Sequence, residues 1–466
     1  MTQRTIESLR GEVVGLDARI PVLGGGEQRY VFLDNAASTP AFRSVLDSVA
    51  DFLPWYSGVH RGTGYKALVA TAVFTETREV VAGFVGADPG RDVVVYGANT
   101  TGLINMLAAR LRPGPDEVVI TTLMEHHSND LPWRKHGNAV HVGTDPRGGV
   151  DLDSLRDALS RYAGRVKLVA VSGASNVTGF INPVHEIAAL CHEAGTKIFV
   201  DAAQLVAHRP VRMLDHRHPG HLDFVVFSGH KIYAPFGIGA LVGPRAFFAG
   251  GAPALVGGGA VSYVSLDEVE WAEPPHSEEA GSPNVTGAVA LAEALRVLSS
   301  VGMERVASHE REMIAYCTGG ARKIPGITLY GPVDEPDSKV GVLPFTLSGL
   351  DHALVATILS TEGGIGVRNG NFCAQIYMRD LLRVTSGEEK AARAMSCDSA
   401  SLPGMVRASL GCYNNREDVD AFLAMLGKIA RREHRGTYEL DPATGLYQAE
   451  GFTLRMPSRP GLSRVV

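Results

Sequence analysis

The sequence DFVVFSGHKIYAPFGIG, at Asp223–Gly239, combines a predicted buried strand with a lysine just beyond its end. The apolar run Phe224–Phe227 is typical of a strand in a protein core. Lys231 follows it among glycine and hydroxyl residues, an unusual setting for a solvated cation. Burial lowers the pKa of an amine and makes the amine nucleophilic. Lys231 is therefore interpreted as a lysine that forms a Schiff base with pyridoxal phosphate (PLP). The alternative is a surface lysine in a strand-to-loop turn.

Strands and helices alternate through the first two thirds of the chain. We predict strands at Val93–Tyr96, Val118–Thr121, Leu168–Ser172 and Ile198–Val200, and helices at Ala67–Val85, Leu152–Tyr162 and Val184–Ala194. This rhythm predicts an α/β fold with a mostly parallel central sheet and helices on both faces.

Polar side chains follow several of these predicted strands. In such sheets ligands bind beyond the carboxyl ends of the strands, so we expect these side chains to share one site. They are Thr100, Thr101, His126, Asn176, Asp201, Gln204 and Lys231.

Two of these positions suit particular parts of PLP. Ala98–Gly102 opens a predicted helix after a strand, and free N–H groups there can bind a phosphate. Thr100 and Thr101 are otherwise ordinary N-caps. Asp201 lies one strand before Lys231, where a carboxylate could hold the pyridine nitrogen protonated. Its alternative role is to cap the next helix.

Three further residues carry candidate chemistry, each with a plainer alternative. His126 can stack on a pyridine ring and move protons, or belong to a surface pair with His127. Cys373, on a loop near an arginine, is a candidate reactive thiolate, or a buried inert thiol. Arg407, on a late predicted strand, can bind a carboxylate through two hydrogen bonds, or form a surface ion pair.

A histidine cluster, His216, His218 and His221, resembles a set of metal ligands. It lies in a Pro/Gly loop without zinc-ligand spacing, so we expect a solvated loop and no metal.

Length predicts the domain organisation. A chain of 466 residues is too long for one ordinary core. We expect an N-terminal segment (1–30), a large PLP-binding domain (31–290), a smaller α+β C-terminal domain that packs with the N-terminal segment (291–435), and a C-terminal extension (436–466). Two helices, near Gly287–Ser300 and Met303–Thr318, would connect the domains. The extension has one weak strand pattern and could lie on a partner subunit.

Composition excludes several classes of protein. A net charge of −6 without a dense basic run argues against a nucleic-acid partner. The five cysteines are scattered, with no C-x-x-C pair, which fits a cytoplasmic protein rather than a disulfide framework. No apolar run reaches about 18 residues, so no membrane span is expected.

Motifs spread over about Tyr30–Leu426 resemble the class V group of fold-type I PLP enzymes. They are most similar to the group II cysteine desulfurases, which include selenocysteine lyases. The matching segments are LDNAAST, HRG, NTTGLIN, MEHHSND, SNVTG, VDAAQ, VFSGHKIYAPFGIG, EEAGSPN, RNGNFCA and RASLGCYN.

The resemblance implies a role for each matching residue. Lys231 would form the Schiff base, Asp201 would pair with the pyridinium, Gln204 would contact the phenolic oxygen and His126 would stack on the ring. The remaining implied roles are phosphate binding by Thr100, Thr101, Ser228 and His230, phosphate binding in the neighbouring subunit by Ser282, and substrate binding by Asn35, Ala36, Asn176, Arg368 and Arg407. The shared site implies a homodimer.

The implied reaction removes sulfur from cysteine or selenium from selenocysteine. Lys231 takes the α-proton, the Cys373 thiolate attacks the substrate sulfur, alanine leaves, and Cys373 holds a persulfide for a sulfur-acceptor protein.

The chain departs from the family pattern on the substrate side. Asn371-Phe372 replaces two histidines before Cys373, Gly64 replaces a histidine, Gly102-Leu103 replaces Glu-Gly, and the segment 379–403 and the C-terminal tail are additional. A C–S lyase that works by β-elimination therefore stays open, as do an aminotransferase, an epimerase, a decarboxylase and a non-catalytic scaffold or sulfur-carrier partner. The absence of G-x-G-x-x-G after the first strand disfavours a plain nucleotide-binding enzyme.

Overall fold

The computed structural model describes residues 4–385, 387, 403–441 and 444–453. Its helices are α1 (Ile6–Glu12), α2 (Arg43–Phe52), α3 (Tyr65–Val85), α4 (Thr100–Leu111), α5 (Leu131–His136), α6 (Leu152–Arg161), α7 (Val184–Glu193), α8 (Arg245–Phe248), α9 (Val285–Val301), α10 (Met303–Ala321), α11 (His352–Gly363), α12 (Gln375–Leu382) and α13 (Arg416–Ala430).

The strands are mostly short. They are β1 (Arg19–Pro21), β2 (Glu27–Arg29), β3 (Val31–Phe32), β4 (Asp92–Gly97), β5 (Val118–Thr122), β6 (Asn138–Val142), β7 (Val166–Ser172), β8 (Ile198–Asp201), β9 (Phe224–Ser228), β10 (Gly239–Pro244), β11 (Val261–Val264), β12 (Val269–Trp271), β13 (Ile327–Leu329), β14 (Val342–Leu347), β15 (Ile365–Gly366), β16 (Arg368–Gly370), β17 (Met405–Ser409), β18 (Tyr438–Asp441) and β19 (Leu446–Ala449).

A seven-stranded sheet forms the centre of the molecule, in the order β4-β10-β9-β8-β7-β5-β6. Strand β10 runs antiparallel to its neighbours β4 and β9, and β9, β8, β7, β5 and β6 pair in parallel. The predicted α/β class with a mostly parallel sheet is therefore confirmed. The sequence interpretation missed β6 and β10.

The central strands are apolar because both faces of the sheet are covered by helices. Strand β9 has all five residues buried. Its side chains alternate between two apolar clusters, with Val225 and Phe227 in one and Phe224 and Val226 in the other. This double burial explains the continuous apolar run and leaves the end of the strand as the place for polar residues.

A second, antiparallel sheet has the order β13-β14-β17-β16. It packs in its own apolar cluster with side chains of α10, α11 and α13. The apolar run that begins at Ile365 predicts one strand, Ile365–Arg368, but the structure divides it. Two short strands are present, because β15 pairs with β3 while β16 pairs with β17. Helix α9 is continuous across residue 290, and the predicted domain boundaries stay predictions.

The N-terminal segment is tied to the end of the chain by charged side chains. The Arg10 and Arg29 guanidinium groups bind the Asp418 carboxylate at 2.8 and 2.7 Å. Asp418 is buried on α13, so this pairing fixes α1 and β2 against the last described helix.

The described part of the C-terminal extension is a hairpin of β18 and β19. It packs on α11 of its own chain, where the Tyr438 hydroxyl donates to the Glu362 carboxylate at 2.8 Å. The expected contact of the extension with a partner subunit stays a prediction. Cys397 and most of the segment 379–403 lie outside the described residues.

Within the described residues, no individual helix has the length and apolar composition needed to cross a membrane. Helices α9 and α10 meet such a test only as a pair, with a bend of 77° between them.

Candidate active site

A cavity of about 990 Å³ lies beyond the carboxyl ends of the central strands. It brings together most of the residues predicted from the sequence, which come from the ends of β4, β5, β7, β8 and β9 and from the second sheet. The predicted residues in its wall are Ala36, Thr100, Thr101, His126, Asn176, Asp201, Gln204, Ser228, His230, Lys231, Arg368, Cys373 and Arg407.

Lys231 follows β9 at a single helical turn, and its side chain reaches the cavity. Burial lowers the pKa of Lys231 to about 8, opposed by the Asp201 carboxylate and assisted by the Arg407 guanidinium. A substantial fraction of the amine is therefore uncharged near pH 8, as a nucleophilic lysine requires.

Asp201 ends β8 and is buried. Its Oδ1 atom accepts a hydrogen bond from the Ala203 N–H at 3.0 Å, and burial raises its pKa. Such a carboxylate favours a positively charged neighbour, and a protonated pyridine nitrogen is one. Gln204, in the next turn, is held by a 2.5 Å hydrogen bond from its Nε2 to the Ala36 carbonyl.

The N-terminus of α4 and the end of β9 form a hydroxyl-lined cradle. The Ser228 Oγ accepts from the Thr100 N–H at 2.7 Å and lies 2.7 Å from the Thr100 Oγ1. A Cβ on Gly239 would come within 2.9 Å of the Asn99 backbone, so glycine lets β10 pass close behind the cradle. Hydroxyl groups at a helix N-terminus are suited to a phosphate. The donor set of the cavity thus fits PLP.

His126 is held as a neutral ring. Its Nδ1 accepts a hydrogen bond from the Ser128 N–H at 3.1 Å, and burial, with Lys231 nearby, lowers its pKa to about 3. Burial also lowers the pKa of His230 to about 4. An uncharged imidazole suits the predicted stacking of His126 on an aromatic ring.

The loop that carries Cys373 is anchored on both sides of the cysteine. The Asn176 side-chain amide donates to the Phe372 carbonyl at 2.7 Å, and the main-chain N–H of His127 donates to the Cys373 carbonyl at 2.7 Å. Cys373 has a left-handed backbone, with φ of 53°, and its side chain is exposed in the cavity wall. The thiol is therefore presented to the cavity, and the alternative of a buried inert cysteine is wrong.

Arg407 lies on β17, where its guanidinium packs on the Phe372 ring of this loop, and it is 3% exposed. Its Nη1 donates to the Asn176 carbonyl at 2.8 Å, and its Nη2 lies 3.4 Å from the Asp34 Oδ1. Its Nε has no hydrogen-bond partner among the described residues. Burial lowers the pKa of Arg407 to about 10. The surface ion pair considered for Arg407 is therefore excluded by its depth, and an anion in the cavity would meet an under-bonded guanidinium.

Asp34 was not singled out from the sequence, although it belongs to the LDNAAST motif. Its carboxylate is shared by Arg407 and by the exposed Arg368, whose Nε lies 3.3 Å from the Asp34 Oδ2. Asp34 thereby links the two arginines, both of which line the cavity.

Glu125 was also missed, because its role depends on tertiary contacts. It is buried next to His126 and accepts hydrogen bonds from Thr122, Asn129 and Ser172, the last through both N–H and hydroxyl. Burial raises its pKa to about 7. Its position directly before the candidate residue His126 is the sequence signal that could have identified Glu125.

Leu446, from the C-terminal hairpin, lines the cavity and is 61% exposed, which places it at the solvent-facing mouth. No local pattern in the tail predicts this position, since it follows from packing of β19 on α11.

Two predicted residues do not reach the cavity wall. Asn35 is buried behind it, where its amide donates to the Ser409 carbonyl at 2.9 Å and accepts from the Tyr413 hydroxyl at 2.9 Å. Ser282 is exposed and lies apart from the cavity of its own chain.

Comparison with known proteins gives one family and one recurrent activity among the similar proteins. The family model described as aminotransferase class-V matches residues 31–422. A probable cysteine desulfurase of Synechocystis sp. is 35% identical over 86% of this chain and 91% of its own length. One from Mycolicibacterium paratuberculosis is 36% identical, and the chain spans 55% of that longer protein.

Solved structures with a similar fold are also named as cysteine desulfurases. The apo structure of a cysteine desulfurase from Thermococcus onnurineus has a TM-score of 0.79 and 30% identity, over 92% of this chain and 99% of that one. A cysteine desulfurase from Escherichia coli has a TM-score of 0.76 and 29% identity, over 93% of this chain and 100% of that one. With the family model matched over most of its length, the chain belongs to the class V aminotransferase family.

Proposed function

We propose that the protein is a PLP-dependent cysteine desulfurase, which converts L-cysteine to alanine and leaves the sulfur on Cys373. The observation that carries this proposal is the arrangement of Lys231, Arg407 and Cys373 around one cavity. Similar proteins named as cysteine desulfurases support it.

Members of this family use PLP, which supplies an electron sink for the pair left when an amino acid loses its α-proton. In this chain, Thr100, Thr101, Ser228 and His230 are proposed to hold the phosphate. Asp201 would keep the pyridine nitrogen protonated, and His126 and Gln204 would hold the ring. Lys231 anchors the cofactor.

Lys231 is also the proposed base and acid of the reaction. Once its amine is free and neutral, it can accept the α-proton of the substrate and later return a proton to the product. The lowered pKa of Lys231, about 8, brings the amine close to the pH at which both transfers are efficient.

Arg407 is proposed to bind the substrate carboxylate. In the part of the chain that the structure describes, its Nε has no hydrogen-bond partner, and its contact with Asp34 is long at 3.4 Å. A substrate carboxylate could therefore form charge-assisted bonds to the guanidinium without first breaking a strong ion pair. Arg368 contributes positive charge at the mouth, and Asn176 and Ala36 border the same region. Asn35 supports this wall from behind.

Cys373 is proposed to take the sulfur. Its thiolate attacks the sulfur of the bound cysteine, an S–S bond forms, and the substrate Cβ–S bond breaks. Lys231 supplies the proton that completes alanine. The exposure of Cys373 leaves the resulting persulfide accessible to a sulfur-acceptor protein, and the thiol chemistry suits a reducing cytoplasm.

A homodimer is part of the same proposal. Ser282 is exposed and apart from its own cavity, which fits a residue that reaches the phosphate of a partner subunit. Sedimentation equilibrium should give a dimer, and Ser282→Ala should weaken PLP binding. A monomer with unchanged PLP affinity in Ser282→Ala would reject this part.

A β-eliminating C–S lyase is the second candidate, and the loop before Cys373 favours it. Phe372, which replaces a histidine of the family pattern, packs on Arg407 and offers no proton donor beside the thiol. Such an enzyme would convert cysteine and water to sulfide, pyruvate and ammonia, and would not need Cys373.

Product analysis distinguishes the two functions. The PLP-loaded protein is incubated with cysteine, selenocysteine and cysteine conjugates, and alanine, pyruvate and sulfide are measured. Alanine as the main product, lost in Cys373→Ala, supports desulfuration. Pyruvate as the main product, retained in Cys373→Ala, supports elimination.

A further inference from the structure

The amino-terminal edge of the central sheet, away from the cavity, holds a cluster of two histidines and one aspartate. His192 is at the end of α7, and His221 and Asp223 lie just before β9. One ligand atom from each of the three lies within 4.8 Å of the others.

Both histidine rings are oriented by main-chain carbonyl groups. The His192 Nδ1 lies 2.6 Å from the Pro219 carbonyl oxygen, and the His221 Nδ1 lies 2.9 Å from the His218 carbonyl oxygen. A carbonyl only accepts hydrogen bonds, so each Nδ1 carries the proton. In a neutral ring, Nε2 is then an unprotonated acceptor.

Both Nε2 atoms face the same carboxylate. They lie 2.9 Å from the Asp223 Oδ2 for His192 and 3.6 Å from the Asp223 Oδ1 for His221. The two rings are stacked, with centroids 4.0 Å apart and planes at 14°. Two imidazole nitrogens and a carboxylate thus converge within 4.8 Å. The His192 Nε2 and the Asp223 Oδ2 share a hydrogen bond, and a bound cation would take the place of the proton in that bond.

We propose that His192, His221 and Asp223 bind a Zn²⁺ ion. Zinc takes imidazole nitrogen and carboxylate oxygen ligands at about 2.0–2.2 Å. A ligating histidine typically donates its other N–H to a main-chain carbonyl, as both do here. With three protein ligands, the fourth position is left to water. The His216–His221 loop that was expected to be solvated contributes one ligand, His221, while His218 contributes its carbonyl to the support of that ring.

A competing cation is present and has to be displaced. The Lys197 Nζ lies 3.1 Å from the Asp223 Oδ1, but its side chain is 52% exposed, so it can move into solvent. The Asp223 Oδ2 also accepts from the Ile198 N–H at 3.0 Å, a bond compatible with ligation through the other lone pairs. The ion would connect the end of α7 to the loop that precedes β9. This is a structural role, remote from the PLP site.

Zinc binding is tested on the PLP-loaded full chain carrying Cys373→Ser, so that the active-site thiol does not contribute. Equilibrium dialysis against Zn²⁺ should show one tight site per chain. His192→Gln and His221→Gln should each weaken it by at least about tenfold. His218→Asn is the matched control, since it removes an imidazole from the same loop but keeps a side-chain acceptor, and it should bind as tightly as its parent.

A second measurement needs no substitution in the cluster. X-ray absorption at the zinc edge of the same Cys373→Ser protein should show nitrogen and oxygen ligands with two imidazoles and no sulfur. The proposal is overturned if the parent binds no zinc beyond what the His192→Gln/His221→Gln double variant binds. It is also overturned if the spectrum shows fewer than two imidazoles.

Discussion

The Arg407 guanidinium carbon lies 4.7 Å from the centroid of the Phe372 ring. Cys373 directly follows Phe372 in the chain. The contact therefore joins Arg407, the proposed carboxylate-binding residue, to the loop that carries the proposed nucleophile. The family pattern has a histidine at this position. Here the ring packs against a buried cation instead, which should fix the guanidinium plane toward the cavity.

Removal of the Phe372 ring should weaken substrate binding. A cation–π contact of this kind contributes about 0.5–2 kcal/mol, so Phe372→Ala should raise the KM for L-cysteine roughly 2- to 30-fold. PLP affinity should not change, because the ring does not touch the phosphate cradle. Steady-state kinetics measure this, with Phe372→Tyr as a control that keeps the aromatic face. An unaltered KM in Phe372→Ala would show that the contact does not orient Arg407.

The uptake of PLP by the apo-protein should depend on pH through Lys231. The amine reacts when uncharged, and its pKa is about 8, so the uptake rate should rise with pH and level off above about 8. The Asp201 carboxylate raises the pKa of Lys231, so Asp201→Asn should move the midpoint of the profile to lower pH.

Stopped-flow absorbance across a pH series gives this midpoint independently of PLP affinity. Asp153→Asn, on the exposed face of α6, is the charge-matched control and should leave the midpoint in place. A midpoint that stays fixed or moves upward in Asp201→Asn contradicts the assignment of Asp201 as the neighbour of the amine.

Glu125 should make stability depend on pH. Its folded-state pKa is raised from 4.5 to about 7 by burial. The protonated form is therefore favoured in the folded state, and this contribution is complete below about pH 4.5 and is lost as the pH rises through about 7. The free energy of unfolding of the unmutated protein should fall over that interval.

Glu125→Gln removes this titration and places an N–H₂ donor against the Asn129 amide. We expect the variant to be about 1–3 kcal/mol less stable at pH 5, with the difference shrinking toward pH 7. Urea unfolding at several pH values measures it, and Glu79→Gln on the exposed face of α3 is the control. A difference that grows between pH 5 and pH 7 would show that Glu125 is ionised in the folded state.

Leu446 should limit the size of substrate that enters the cavity. It lies in the wall at the mouth, so Leu446→Ala should raise kcat/KM for bulky S-substituted cysteines relative to cysteine. Leu440→Ala, on the same hairpin but away from the cavity, should not. If the two variants have the same substrate ratio, the hairpin does not shape the entrance.

The sequence was sufficient to predict those site residues whose positions follow from local sequence patterns. Thr100, Asp201 and Lys231 follow strands whose apolar runs are unmistakable, and the carboxyl ends of parallel strands meet at one edge. Glu125 and Leu446 could not be placed in this way. Glu125 depends on donors from β5, from β7 and from the turn that contains Asn129. Leu446 depends on how a hairpin from the tail packs on α11. The same limitation hid β10, whose antiparallel direction breaks the alternation used to interpret the chain.

The histidine loop shows a related limit. His216, His218 and His221 share a spacing that resembles a metal motif, but the structure pairs His221 with His192 and Asp223, from a helix and a strand start. Sequence spacing alone could not select these three residues.

The fate of sulfur on Cys373 tests the central claim most directly. The PLP-loaded protein is treated with L-cysteine, and its mass is measured before and after reduction, alongside Cys373→Ser. A gain of one sulfur atom on the Cys373 peptide, removed by reductant and absent from the variant, together with one alanine released, is the predicted result. Turnover of cysteine by Cys373→Ser at the rate of the unmutated protein, with no sulfur found on Cys373, would contradict the account.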